Sequence, residues 1–210
     1  MLTDKPLRDL LAAFASSDPT PGGGSASALA SAMGTSLLMM VASLPKTRSG
    51  TDDDRGALDA AGQALAGVQQ QLAEAVDADS MAYDAVVAAY KLPKQDEAEQ
   101  GARKAAIQHA LRGATDVPLG VMRLTVIALR HARAVAQHGH RAAASDVGVA
   151  LALLGAGARG ARLNVDVNLA SLTDGSYVEA VKAERERLSA DAAETADAAQ
   201  ASLRRERLDF

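Results

Sequence analysis

Cysteine is absent from the 210 residues, which excludes disulfide frameworks, thiolate metal sites, iron–sulfur ligation and cysteine nucleophiles together. Tryptophan is absent too, and the only aromatics are Phe14, Phe210, Tyr83, Tyr90 and Tyr177. The chain therefore has no platform on which to stack bases, and its 22 Lys+Arg against 26 Asp+Glu give a formal charge of −4 in place of a basic surface. No nucleic-acid partner is expected. Any catalysis must use carboxylates, hydroxyls, amides, lysines or the 4 histidines. With 48% hydrophobic residues but so few aromatics, the core must be built from Ala, Leu, Val and Gly. Such small residues favour helices packed near the short end of the usual ~8–10 Å. There is no period-2 strand pattern, no fixed repeat and no Gly/Ser linker. The expectation is an all-α fold in one domain spanning residues 1–210, a length at which ~70% of the unfolded surface is buried.

From Ser25 to Leu44 no residue is charged. The stretch is long enough to span a bilayer, but Ala, Ser and Gly gain little from lipid, and Pro-Gly-Gly-Gly with nearby Asp18 does not resemble a signal-peptide flank. A helix without a polar face belongs at the centre of a bundle or in a subunit interface, so a homodimer and no membrane are expected. Further helices are predicted over 3–16, 52–90, 95–138, from Ser145-Asp146 to about Leu172, and 175–207 as a polar outer layer. The 52–90 helix would be ~58 Å long, so the bundle is elongated unless it breaks near Gly62 and Gly67. At Thr115-Asp116-Val117-Pro118, either Pro118 kinks one helix or Asp116 caps a second.

Pro21, Gly22, Gly23 and Gly24 lead straight into Ser25 and the uncharged helix. Glycines let a ligand reach the backbone, and free N–H groups at a helix start favour an anion or developing negative charge; a plain capped turn uses the same residues. Lys46 and Arg48 follow that helix, and Lys91, Lys94 and Arg103 bracket Pro93. They read either as surface charges or as a receptor for an acidic substrate tail. Asp79, Tyr83 and Tyr90 share one helical stripe, suited to a flat polar ligand or to a core patch. Asp146, Gly157, Asn164 and Asn168 fall on one face of a later helix, yet Asp146 and Asn164 stand ~27 Å apart if it is straight. Gly155, Gly157 and Gly160 between them either break it or admit a close neighbour. His138-x-His140 lacks a carboxylate at ligand spacing, so no metal is expected.

In order, Pro-Thr-Pro-Gly-Gly-Gly-Ser-Ala (19–26), Met40-Val41, Asp79-x3-Tyr83, Lys91-Leu92-Pro93-Lys94, Ala114 to Leu119, Ser145-Asp146 and Asn164-Val165-x2-Asn168 resemble the cyclodeaminase/cyclohydrolase family from about residue 5 to 185. The resemblance implies an all-helical, homodimeric, cytoplasmic folate enzyme without metal or redox cofactor. The implied reaction is hydrolysis of 5,10-methenyltetrahydrofolate to 10-formyltetrahydrofolate. The alternatives are ammonia-releasing cyclisation of 5-formiminotetrahydrofolate and a non-catalytic folate binder or scaffold. On this reading Asp146 is the principal carboxylate, with Asp79 and Tyr83 orienting the pterin or relaying a proton. Pro21, Gly22, Gly23, Gly24, Ser25, Ser145, Asn164 and Asn168 bind substrate, and Lys46, Arg48, Lys91, Lys94 and Arg103 receive its glutamate tail.

Overall fold

A computed structural model of the chain describes residues 1–205. It contains six α-helices: α1 (Leu7–Phe14), α2 (Gly23–Ser43), α3 (Asp52–Tyr90), α4 (Glu97–His138), α5 (Ala144–Leu169) and α6 (Gly175–Arg205). A 3-10 turn, Arg141–Ala143, precedes α5. The last two positions of the helix predicted over 175–207, and Phe210, lie outside the described residues. No β-strand occurs among the described residues.

The boundaries follow local chemistry. Thr51 caps α3 by accepting from the Asp54 amide at 3.3 Å, with Asp52, Asp53 and Asp54 in the first turn, where the helix dipole favours acids. Gly62 and Gly67 do not break α3, which runs unbroken for 39 residues; the bundle is elongated. Asp96 caps α4, accepting from the Glu99 amide at 2.8 Å. Helix α4 continues through Pro118 for 42 residues, so Asp116 caps nothing. Its carboxylate instead accepts from the Tyr177 hydroxyl at 2.6 Å.

Helix α2 sits centrally, against α3, α5 and α4, while α6 lies outside α4 and α5. Small residues set the α2–α5 spacing. A Cβ at Gly157 or Gly160 would overlap the Ser31 or Ser27 hydroxyl, and one at Gly34 would crowd the Ala150 carbonyl. The buried hydroxyls are satisfied: Ser31 and Thr125 share a 2.8 Å bond, and Thr35 and Thr125 also donate to carbonyls one turn back. The main core of Leu38, Leu58, Leu65, Leu72, Leu129 and Leu154 runs the length of the bundle, and Ala89, Ile107 and Leu111 form a separate small cluster near the α3–α4 turn. The outer helix is polar as expected, tied by Arg123–Glu184 and Arg130–Asp191 pairs.

Burial of α2 on every face does not occur within one chain. Leu29, Met33, Leu37 and Met40 line its outer edge, beside Val149, Leu153, Leu163 and Val167 of α5. Met33 is 52% and Val167 71% exposed. A groove of about 580 Å³ runs between Leu29, Met33, Leu37, Val149 and Leu153. Gly23–Ser43 and Arg141–Leu169 are each long and apolar enough to cross a membrane; here they form the α2–α5 pair, partly buried in the bundle.

At the end of the bundle where α2 and α4 finish, the loops are bound together. The Arg48 amide donates to the His138 carbonyl at 2.8 Å, and its guanidinium to the Ala136 carbonyl at 3.0 Å. Buried Asp54 accepts from the Ser49 amide and hydroxyl, both at 2.6 Å, and stands 2.8 Å from His138 Nδ1. The Ser49 bonds, with that from His138, hold its pKa well below the usual carboxylate range.

Candidate active site

Helix α2 begins with Gly22 at its N-cap, which has no side chain to receive the first amides. Position 22 cannot cap its own helix, so the cap comes from α3. Asp79 Oδ2 accepts from the Ser25 amide at 2.8 Å and lies 3.1 Å from its hydroxyl, which also contacts the Val76 carbonyl at 2.8 Å. The approach requires glycine at 24, because a Cβ there would overlap the Asp79 carboxylate. Burial pushes the Asp79 pKa up, and the two Ser25 bonds pull the other way. The result is a carboxylate held by one oxygen, beside the N–H groups of Gly23 and Gly24 that helix geometry leaves without an intrahelical acceptor.

Around it lies a cleft of about 270 Å³, with Pro19, Thr20 and Gly22–Gly24 on one side, Tyr83 and Val86 of α3 with Leu111 and Ala114 of α4, and Asn164 and Asn168 of α5. The Thr20–Pro21 peptide is cis. Asn164 donates through Nδ2 to the Gly160 carbonyl at 2.9 Å, and Asn168 to the Ala114 carbonyl at 2.6 Å. Toward the α3–α4 turn, about one helical turn beyond Leu111, a recess of about 410 Å³ is lined by Lys94, Arg103, Lys104 and Ile107. Arg103 lies over the Tyr90 ring, 5.5 Å from its centroid, and donates to the Tyr90 carbonyl at 3.0 Å. Lys91 is exposed at the end of α3. The cleft thus combines apolar walls, two amides and one carboxylate, and a separate basic recess lies further along α4, toward the α3–α4 turn.

The structure brings together Gly22, Gly23, Gly24, Ser25, Asp79, Tyr83, Asn164 and Asn168, with Pro21 buried behind the loop; Lys94 and Arg103 line the separate recess, and Lys91 is exposed at the end of α3. It does not bring Lys46, Arg48, Ser145 or Asp146 into this cleft. Lys46 and Arg48 follow the C-terminus of α2, a full helix length away. Ser145 and Asp146 do not cap α5. They lie inside its first turn, and the N-cap is Ala143, without a side-chain bond. Helix α5 is unbroken, its glycines seating Ser27 and Ser31 of α2, so Asp146 remains ~27 Å along the helix from Asn164. Within one chain the leading carboxylate is Asp79, and the expectation that Asp146 shares its site is not met. Asp54 engages His138 Nδ1, and among the described residues no group of three His, Cys, Asp or Glu is placed to hold a metal ion.

Val86 and Leu111 line the cleft without being singled out by the sequence, where Ala114 enters only as part of the Ala114 to Leu119 motif. The signal for Val86 was its position three after Tyr83, and for the pair on α4 their i, i+3 spacing; nothing local paired the two helices.

Comparison with known proteins bears out the family resemblance. The family model for formiminotransferase-cyclodeaminase matches residues 6–187. The chain is 38% identical to a methenyltetrahydrofolate cyclohydrolase from Methylorubrum extorquens over 91% of its own length and 92% of the relative's. It is 34% identical to the formimidoyltransferase-cyclodeaminase of Sus scrofa over 86% of its length, but only 34% of that longer protein. The solved structure of a formiminotetrahydrofolate cyclodeaminase from Thermotoga maritima is similar with a TM-score of 0.86 at 25% identity, covering 97% of this chain and 98% of that one.

Proposed function

We propose, from the premise that the chain belongs to the formiminotransferase-cyclodeaminase family, that it hydrolyses 5,10-methenyltetrahydrofolate to 10-formyltetrahydrofolate. The observation that carries the choice is the end-to-end match to a cyclohydrolase at 38% identity. The cleft is suited to the reaction. Ionised Asp79 stabilises the amidinium cation of the bound substrate. Water adds to the amidinium carbon while Asp79 takes one of its protons, leaving a neutral carbinolamine. Asp79 then returns that proton to N5 as the N5–carbon bond breaks, the hydroxyl becomes the formyl carbonyl, and one proton leaves to solvent. The substrate is itself the electrophile, so this route uses no metal or redox cofactor.

The cyclodeaminase reading, favoured by the fold likeness to the Thermotoga protein, differs in expelling ammonia from a similar tetrahedral centre. One pair of assays separates them: loss of methenyltetrahydrofolate absorbance, beside ammonia release from 5-formiminotetrahydrofolate. Hydrolysis without ammonia supports the proposal, ammonia release selects the cyclodeaminase, and neither activity leaves a binding protein.

The glutamate tail of the folate lies along the α3–α4 turn, on Lys94 and Arg103 with Lys91 alongside. Replacing Lys94 and Arg103 by glutamine is expected to raise KM several-fold for monoglutamyl substrate and more for polyglutamyl substrate, with the difference fading at high salt. Equal effects on both substrates would remove the assignment.

A second copy covers the apolar face of α2 and α5. Its stripe runs from Val149 to Val167, and an isologous contact places the same patch on both sides of a two-fold axis. An axis crossing the middle of α5 turns the helices antiparallel and brings the Ser145–Asp146 end of one chain to the Asn164–Asn168 end of the other. Asp146 then serves the site from across the interface, and the loops bearing Lys46 and Arg48 approach it as well. Met33→Asp is expected to yield an inactive monomer by sedimentation. Mixing inactive Asp79→Asn and Asp146→Asn chains is expected to restore activity, because each heterodimer keeps one intact site. A dimer that survives Met33→Asp, or mixtures without recovery, would refute this arrangement.

A further inference from the structure

Proline at position 118 has no N–H, so the carbonyl four residues earlier, Ala114, loses the donor an α-helix would supply. That carbonyl is not left bare. Asn168, 54 residues later on α5, donates Nδ2 to it at 2.6 Å. A carbonyl oxygen only accepts, so the nitrogen of the Asn168 amide must face Ala114, and Oδ1 is the end left for a ligand. One turn earlier on the same face, Asn164 is fixed in the same sense by its Nδ2 bond to the Gly160 carbonyl at 2.9 Å. Both residues line the cleft beside Asp79. The two residues, at i and i+4, stand about one helical turn apart along α5, and each amide is oriented by its bond to a backbone acceptor.

We propose that Asn164 and Asn168 are the residues that select the heterocycle, accepting from the exocyclic amino group and neighbouring ring N–H of a 2-amino-4-oxo reduced pterin, and that Pro118 is the positioning residue that holds Asn168 for this task. This rests on the folate reading above and adds which edge of the ring is read. The pterin edge carrying the 2-amino group and N3–H is rich in donors. Two fixed carbonyl-type oxygens match it, and they reject a ring that lacks those hydrogens, because acceptors that the bound ring closes off from water would then be left unpaired.

The test compares 5,10-methenyltetrahydrofolate with its 2-desamino analogue as substrates for the parent and for Asn168→Leu, Asn164→Leu and Pro118→Ala. The parent is expected to lose about 10- to 100-fold in kcat/KM on the analogue. Each Asn→Leu variant should show a similar rise in KM for the normal substrate, with kcat within a few-fold, and should discriminate less between the two compounds. Pro118→Ala restores an N–H to the Ala114 carbonyl, so it should melt at or above the parent temperature and still raise KM, an outcome that loss of fold cannot mimic. The proposal is overturned if the asparagine variants keep the parental KM, if they weaken both substrates while preserving the discrimination, or if the parent does not distinguish the two. Should an Asn→Leu chain fail to fold, the parent's discrimination and the Pro118→Ala measurement decide. A parent that turns over neither compound defeats the functional reading itself, which the methenyltetrahydrofolate control identifies separately.

Discussion

Replacing Asp79 by asparagine is expected to lower turnover by ~10²-fold or more while leaving the protein folded. Asparagine keeps an oxygen that accepts from the Ser25 amide, so the cap on α2 survives; what disappears is the charge and the exchangeable proton. Burial raises the pKa of this carboxylate in the folded protein, so the folded state favours its protonated form. The contribution of this group to stability is full at pH below the unfolded value and is lost as pH rises through the folded one. At neutral pH the ionised carboxylate is therefore held at an energetic cost, and the asparagine variant should melt at or above the parent temperature. The same raised pKa sets the pH profile. A base works ionised, so kcat/KM, which reports the free enzyme, should fall on the acid side along a limb displaced upward from the ordinary carboxylate range, and that limb should vanish in the variant. Turnover within a few-fold of the parent would mean that Asp79 is only the tertiary cap of α2.

The second large effect is expected at Gly24. Alanine there would place its Cβ within the Asp79 carboxylate, and neither partner can yield cheaply, since one is the backbone of the central helix and the other is held by Ser25. Gly24→Ala should cost ~1–3 kcal/mol of stability, as overpacking does, and ~10²-fold or more in turnover through displacement of the carboxylate. Gly23→Ala is the control for stability, because its Cβ would meet only Asn164 at an ordinary 3.6 Å. The pairing with Asp79 has its own signature: Gly24→Ala combined with Asp79→Ala should regain stability without regaining activity. Thermal melts and steady-state rates of these variants check both halves. A fully active Gly24→Ala enzyme would show that Asp79 does not need the position the structure gives it.

The helices were legible wherever the decisive chemistry was local. Thr51 followed by three aspartates at one end and Pro93 beyond the other bounded α3, and the charge-free run announced α2 as the central element. The course of α4 was not legible at Pro118, because what lets the helix continue there is an amide from Asn168. The role of Gly24 was hidden for the same reason, since its partner Asp79 is contributed by another helix. The α5 glycines could have broken the helix or admitted a neighbour, and only the Ser27 and Ser31 hydroxyls of α2 decide which. The exposed edge of α2 carried the opposite lesson. A helix without charges looks buried all round, but within one chain Met33 stays half exposed and Leu37 is only partly buried against the core.

The isolation of Ala89, Ile107 and Leu111 from the main core bears on how substrate enters. Leu111 is at once a wall of the cleft and one of the three buried residues fastening the tip of the α3–α4 hairpin. Beyond the bonds that join Gln108 to Ser171 and Thr173 at its base, a segment with so small a cluster opens at a fraction of the global unfolding free energy, so the tip can fray without disturbing the leucines that hold the rest of the bundle. Amide hydrogens near residues 88–108 should exchange well before those in the middle of α3 and α4, and bound folate should slow them selectively. The basic recess is then the compliant part of an otherwise stiff rod, and under the proposed placement of the glutamate tail its capture would be coupled to the ordering of the protein segment that receives it.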